Sequence, residues 1–156
     1  MSTPLVTCEN LVKIYKVQEA DVEVVALQGL DLEVERGEML ALVGQSGSGK
    51  TTLLNVLGAL DVPSAGRCAV AGNDLTRLDE KQRNAYRRFV TGHVWQQTGR
   101  NLLPDLSALD NVSLPQVLSG AGASQRARRS RELLELVGLG ELTKRYPGEL
   151  SGGEQQ

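Results

Sequence analysis

Apolar residues are plentiful in this chain of 156, yet they never gather into a long run. The longest stretches, such as Met39-Leu40-Ala41-Leu42-Val43, fall far short of the ~20 consecutive apolar residues of a membrane-spanning helix. No bilayer crossing is expected. The start, MSTPLVTCENLV, lacks the basic residues and apolar core of a secretory signal. Cysteine is scarce: Cys8 and Cys68 stand alone, with neither zinc-ligand spacing nor a C-x-x-C pair. They are expected to be reduced, half-buried strand residues of a cytosolic protein. Charge of one sign is lacking too. A formal net charge of -2 and a pI near 5.5 leave no overall basic footprint, so no nucleic acid partner is expected. Repeats and low-complexity tracts are missing. With 40% hydrophobic and 23% charged residues, the composition excludes disorder and fits one domain with a real core.

What is present divides the chain. The first half reads as short strands: residues 5 to 15, 24 to 34 and 66 to 72 are β-branched, partly alternating or bounded by glycines. Between them, EMLALVGQSGSGKTTLLNVLGAL (38 to 60) passes from an apolar run, as a buried strand requires, through a glycine-rich turn. It then enters a helical pattern with Leu53, Leu54, Leu57 and Leu60 on one face. DVPSAG breaks that helix. From about residue 76, LTRLDEKQRNAYRRF and SQRARRSRELLELVGL have helical spacing, the latter with Leu133, Leu134, Leu136 and Val137 as its apolar side. HVWQQ is expected to be a short strand, with His93, the sole histidine, in a structural role. Arg126, Arg128, Arg129 and Arg131 read as a solvated helix face rather than a site for nucleic acid or lipid.

The chemistry lies in the turn. Gly44-Gln45-Ser46-Gly47-Ser48-Gly49-Lys50-Thr51, followed by Thr52, matches the P-loop pattern G-x-x-x-x-G-K-[ST]. Its glycines let successive backbone N–H groups point inward at a phosphate chain, and the helix beginning at Gly49 adds its positive end. Lys50 supplies a mobile charge for the β- and γ-phosphates, and the Thr51 hydroxyl is placed to ligate Mg²⁺. A dinucleotide fingerprint fails here, because Gly47-Ser48-Gly49 runs into Lys50, Thr51 and Thr52. Near the other end, Ser151-Gly152-Gly153-Glu154 reads as an S-x-x-E capping box that announces a helix. The chain stops before that helix is expected to close its first hydrogen bonds.

Taken in order, GQSGSGKTT, VWQQ…NLLP and LSGGEQQ resemble the nucleotide-binding domain of ABC transporters over essentially the whole chain. The resemblance implies an α/β fold: a P-loop NTPase core of ABC ATPase type with an N-terminal antiparallel β part and an inserted helical subdomain. The core would span 1–97, the subdomain 98–150 and the signature 150–156, with the C-terminal part missing. Tyr15 stands where the adenine-stacking aromatic is expected; an edge-strand packing role is the plainer alternative. Gln96 looks like the glutamine that contacts Mg²⁺ and the attacking water, although Gln97 could fill that role. Two extra residues in QTGR separate it from NLLP. Ser151, Gly152 and Gly153 are implied to bind the γ-phosphate of a nucleotide held by the opposite subunit. A capped helix start alone explains Ser151 and Glu154 but not two glycines, which cost helix stability.

The resemblance further implies ATP and Mg²⁺ as ligands, a homodimer, and an integral membrane subunit as partner, docked through residues 98 to 115. The protein would be cytoplasmic, peripheral on the inner face of the membrane. Its flanking segments look most like the branch serving lipoprotein release, macrolide or peptide export and cell division. Rivals are an ATPase of DNA repair or chromosome maintenance, where a long coiled coil separates the two phosphate sites, and a non-catalytic ATP-binding fragment. A P-loop kinase or GTPase leaves LSGGEQQ unexplained and would want an N-K-x-D motif, which is missing. Asp31, Asp105 and Asp110 each lack the apolar run that precedes a magnesium-holding aspartate. The chain as it stands is therefore expected to bind nucleotide weakly, to be poorly soluble and not to turn ATP over.

Overall fold

The computed structural model describes residues 4–17, 22–97 and 101–156. They form two compact units, 1–92 and 93–156.

The first unit is organised by a four-stranded antiparallel sheet in the order β2-β1-β3-β4. β1 is Val6–Val17, β2 Val22–Val34, β3 Ala65–Val70 and β4 Asn73–Asp74. The β-branched runs read from the sequence thus become strands. α1, Lys50–Leu57, lies against this sheet, burying Leu53 and Val56 among Cys8, Leu11, Leu27, Cys68, Val70, Leu75 and Tyr86. α2, Glu80–Phe89, starts at an Asp79–Gln82 capping box. It ties itself to the end of α1: the Tyr86 hydroxyl donates to Leu57 O at 2.7 Å and Arg87 Nη1 to Ala59 O at 2.8 Å. The first serves a carbonyl that the last turn of α1 leaves without a partner, and the second one just past its Gly58 cap.

Three expectations need correction here. Residues 38–45 join no strand. Among the described residues the sheet takes in β1 to β4 only, and Met39 and Val43 are 98% and 93% exposed. A buried strand needs ladder partners on its edges, and an apolar run by itself does not supply them. The apolar face of α1 is Leu53 and Val56, with Leu57 partly buried; Leu54 and Leu60 are exposed. The helix ends at Leu57 with Gly58 as its cap, so Leu60 never enters its periodicity. Third, Cys8 and Cys68 are fully rather than half buried, and they face one another across β1 and β3 with their sulfurs 3.7 Å apart.

The second unit is helical. α3 is Ala108–Leu118 and α4 Ala123–Leu136, followed by 3-10 turns at Gly140–Leu142 and Pro147–Glu149 and by α5, Gly152–Gln155. Ala108, Leu134 and Leu150 form its core, with Leu109, Val112, Leu139 and Leu142 packed around them. The Ser107 side chain caps α3 by accepting from Asp110 N. Two further amides at that end donate to Arg145 O and Thr143 O at 2.8 and 3.0 Å. On α4 the buried positions are Ser130 and Leu134, one turn apart, whereas Leu136 and Val137 are exposed where the helix ends. Arg128 and Arg129 share Glu132 at 3.6 and 3.3 Å, and Arg126 donates to Ala121 O. HVWQQ forms no strand. A side chain takes the place of a ladder: Trp95 N donates to Asn101 Oδ1 at 2.8 Å while Asn101 Nδ2 donates to Trp95 O at 3.0 Å. His93 packs on Trp95 with ring centroids 4.3 Å apart.

Candidate phosphate-binding segments

The loop is exposed from Gly44 to Ser48 and delivers the chain through a half-buried Gly49 into α1. Gly49, the residue before α1, has φ 85°, and a Cβ there would sit 2.4 Å from Ala26 O on β2. Only glycine fits a left-handed conformation pressed so closely on a neighbouring strand. Gly47 turns the loop with φ 82°. The Lys50 ammonium curls back over the loop, donating to Gln45 O at 2.6 Å, Gly44 O at 2.9 Å and Ser48 Oγ at 3.1 Å. These three acceptors are uncharged. A cation held by neutral oxygens at a helix N-terminus gains much more from an anion, so the residues present fit a phosphate group. Thr51, exposed, and Thr52, half-buried, occupy the first turn of α1 behind it. Gln45 and Ser46 are exposed.

Tyr15 stands on β1 opposite Val24. Its hydroxyl donates to Asp61 Oδ2 at 2.7 Å, and Lys13 Nζ lies 4.8 Å from its ring while donating to Asp61 Oδ1 at 2.5 Å. Burial pushes the Tyr15 hydroxyl above its ordinary pKa, and the bond to Asp61 adds to the rise, against a hydrogen bond from Thr52. That Thr52 contact sets the tyrosine beside the first turn of α1. For Asp61, burial pushes the carboxyl up, but bonds from Lys13, Tyr15 and the Val62 amide outweigh it and hold it below the ordinary carboxylate value. Asp61 and Lys13 were not legible as site residues, because the bond between them spans 48 positions.

In the second unit, Gln96 and Gln97 are both exposed and follow the Trp95 peptide that Asn101 clamps. Asn101 thus fixes the peptide immediately before the two glutamines. Of the QTGR segment, Thr98, Gly99 and Arg100 lie outside the described residues. At the far end, the Ser151–Glu154 capping box forms as read: Glu154 N donates to Ser151 Oγ at 3.4 Å and Ser151 N to Glu154 Oε2 at 2.7 Å. The amide bond of Ser151, with the serine hydroxyl behind it, holds the Glu154 carboxyl below its ordinary pKa. The helix closes further than expected, with Gln155 N on Ser151 O at 2.9 Å and Gln156 N on Gly152 O at 3.2 Å. Gln155, unassigned from sequence, anchors this turn by donating to Pro147 O at 2.9 Å and Leu150 O at 3.0 Å. Gly152 and Gly153 have no positive φ, and a Cβ on either would meet nothing within 4 Å.

Among the described residues no cluster of three or more His, Cys, Asp or Glu is present, and no helix is long and apolar enough to cross a membrane. The pattern of the family described as ABC transporter matches residues 27–156. An uncharacterized ABC transporter ATP-binding protein of Thermotoga maritima is 44% identical over 148 residues, 94% of this chain and 62% of that protein. The lipoprotein-releasing system ATP-binding protein LolD of Bordetella pertussis is 46% identical over 98% of this chain and 64% of its own length. The macrolide export ATP-binding/permease protein MacB of Hyphomonas neptunium is 44% identical across all of this chain, which spans 24% of it. Among solved structures, the ATP-binding cassette MJ0796, a dimer bound to ADP and Pi, superposes with a TM-score of 0.84 at 35% identity. That match covers 96% of this chain and 65% of MJ0796.

Proposed function

The chain belongs to the ABC transporter family, and from that premise we propose that it is the ATP-binding portion of a transport ATPase. In this reading Mg-ATP lies between the P-loop of one copy and the Ser151-Gly152-Gly153 segment of a second. The observation that carries the reading is the pair of glycines behind Ser151. Neither needs a positive φ and neither is crowded by its own chain. Each lowers helix propensity by about 1 kcal/mol relative to alanine. Close approach of an external group to the backbone gives them a purpose that the local fold does not.

The residues take roles that their chemistry allows. Lys50 exchanges its bonds to Gly44 O and Gln45 O for phosphate oxygens, and the amides of Gln45 to Gly49 surround the same anion. The Thr51 hydroxyl would hold Mg²⁺, and Gln96, or Gln97, would take the Mg²⁺- and water-contacting role that the sequence resemblance implies. When bound, Mg²⁺ would supply positive charge that offsets the charge of the transferring phosphate. Ser151 donates its hydroxyl to the γ-phosphate of the facing copy, joined by the amides of Gly152 and Gly153. Tyr15 offers its ring to the adenine. We further propose a cytoplasmic location against the inner membrane face, docked through the segment 98 to 115 on an integral membrane subunit that selects the cargo. The similarity to the LolD and MacB proteins supports lipoprotein release or export as the transport process.

Titration with a fluorescent ATP analogue tests the core of this. Lys50→Ala should weaken binding by roughly 10- to 100-fold, the equivalent of losing one charge-assisted hydrogen bond to phosphate at about 1.5–3 kcal/mol. Equal affinities for wild type and variant would remove the basis of the proposal.

A further inference from the structure

Cys8 and Cys68 are 60 positions apart in sequence, and the register of β1 and β3 sets them directly opposite one another. Cys68 O accepts from Leu75 N at 2.8 Å, on the side of β3 away from β1. In an antiparallel strand a residue's N–H and C=O point the same way, so Cys68 makes no ladder bond to Cys8. The two form a non-hydrogen-bonded pair, the geometry in which Cα atoms approach to about 4.5 Å and side chains come closest. That separation falls within the range a disulfide spans. Their sulfurs are already 3.7 Å apart.

We propose that Cys8 and Cys68 are a redox-active pair that closes to an intramolecular cross-strand disulfide under oxidation by a peroxide. The step balances with one equivalent of oxidant. The Cys8 thiolate attacks a peroxide oxygen, the O–O bond breaks, and the departing hydroxide takes a proton to become water, leaving a sulfenic acid on Cys8. The Cys68 sulfur then attacks the Cys8 sulfur. The S–O bond breaks, and the leaving hydroxide carries off the Cys68 proton as a second water. Two thiols are oxidised, one peroxide is reduced, and one S–S bond forms. Sharing a proton with Cys68 holds Cys8 below its ordinary pKa and Cys68 well above it, in keeping with Cys8 as the attacking sulfur.

Both sulfurs are buried, at 2% and 0% exposure, so the pair is shielded until the sheet opens locally. The place to open is on the page. β3 has six residues, and among the described residues its outer edge is paired with the two residues of β4 and the Leu75 amide. Once formed, the bond closes a loop that contains β2, the P-loop and α1, and it fixes β3 to β1 through the core of the first unit.

The test begins with reduced protein exposed to hydrogen peroxide in native buffer, then alkylated in denaturant. The expected result is a mass lower by about 2 Da with no alkylated cysteine, one digest product linking the Cys8 and Cys68 peptides, and reversal by dithiothreitol. The thermal midpoint of the oxidised form should rise by on the order of 10 °C, since a loop of this length is removed from the unfolded ensemble. Cys68→Ala should instead leave Cys8 as a sulfenic acid that dimedone captures. Two alkylated cysteines after oxidation, sulfinic acid on either residue, linkage between chains, or a disulfide that forms only in urea would each overturn the proposal. The wild-type measurement decides it even where the variant does not fold.

Discussion

Asp61 shows how one side chain can organise a site that sequence spacing does not reveal. It accepts from Lys13, from the Tyr15 hydroxyl and from its neighbour's amide, and so fixes the ring of Tyr15 beside Thr52. Because these bonds hold the folded-state pKa below the ordinary 3.8, the stability they contribute is present above that value. It is lost as pH falls through the lower, folded-state pKa. Asp61→Asn should therefore have a lower urea midpoint than wild type at pH 7. The gap should begin to narrow as the pH drops below about 4, where the carboxyl of the unfolded chain takes up its proton, and close once the folded-state carboxyl is protonated as well. Urea titrations from pH 7 to 3 check this, and a gap that stays constant to the acid end would show that the charge of Asp61 is not what the cluster uses. Tyr15→Phe keeps the ring and loses the bond, so it separates anchoring from stacking: weakened nucleotide binding in Tyr15→Ala but not Tyr15→Phe is expected.

Among the elements, α1 is the piece on which everything in the first unit depends, and its seat is Gly49. A Cβ at that position meets Ala26 O at 2.4 Å and a backbone φ of 85°. Gly49→Ala should cost roughly 2 kcal/mol or more, from left-handed strain plus the displacement of β2, and weaken nucleotide binding with it. Gly152→Ala offers the contrast. With open space around its Cβ, it should leave stability unchanged or raise it by up to about 1 kcal/mol. Chemical denaturation of the two variants side by side reads both. The same elements show what a sequence conveys. β1, β2 and β3 were visible in their β-branched runs, the P-loop in its spacing and α5 in its capping box, because each is a local pattern. The apolar run at 39–43 announced burial but not a partner, and partners are set by topology. Leu54, Leu136 and Val137 fitted a helical stripe, yet which face turns inward depends on what the helix meets. Asn101 pairing with the Trp95 peptide, and Cys8 with Cys68, arise from chain return and strand register, which no spacing rule encodes.

For the whole molecule, the decisive question is which copy supplies the second phosphate contact, and two variants answer it together. In the proposed dimer each nucleotide touches Lys50 of one copy and Gly152 of the other. Lys50→Ala removes the first contact and keeps the second, while Gly152→Ala does the reverse by placing a methyl group where the phosphate should approach. Each variant alone, at the protein's natural length, should fail to dimerise when Mg-ATP is added, as read by sedimentation or light scattering. Gly152→Ala should still bind the fluorescent ATP analogue as tightly as wild type. Mixing the two changes the arithmetic. A heterodimer brings the intact P-loop of the Gly152→Ala copy against the intact signature of the Lys50→Ala copy, which restores one complete site of the two. Association in the mixture should therefore exceed that of either variant alone and remain below wild type, and it should require Mg-ATP. If a site is completed within a single copy, no pairing of these variants contains a complete one and mixing recovers nothing. Recovery thus assigns Ser151-Gly152-Gly153 to the neighbour's nucleotide, and its failure alongside normal ATP binding by Gly152→Ala would return those glycines to a purely local role.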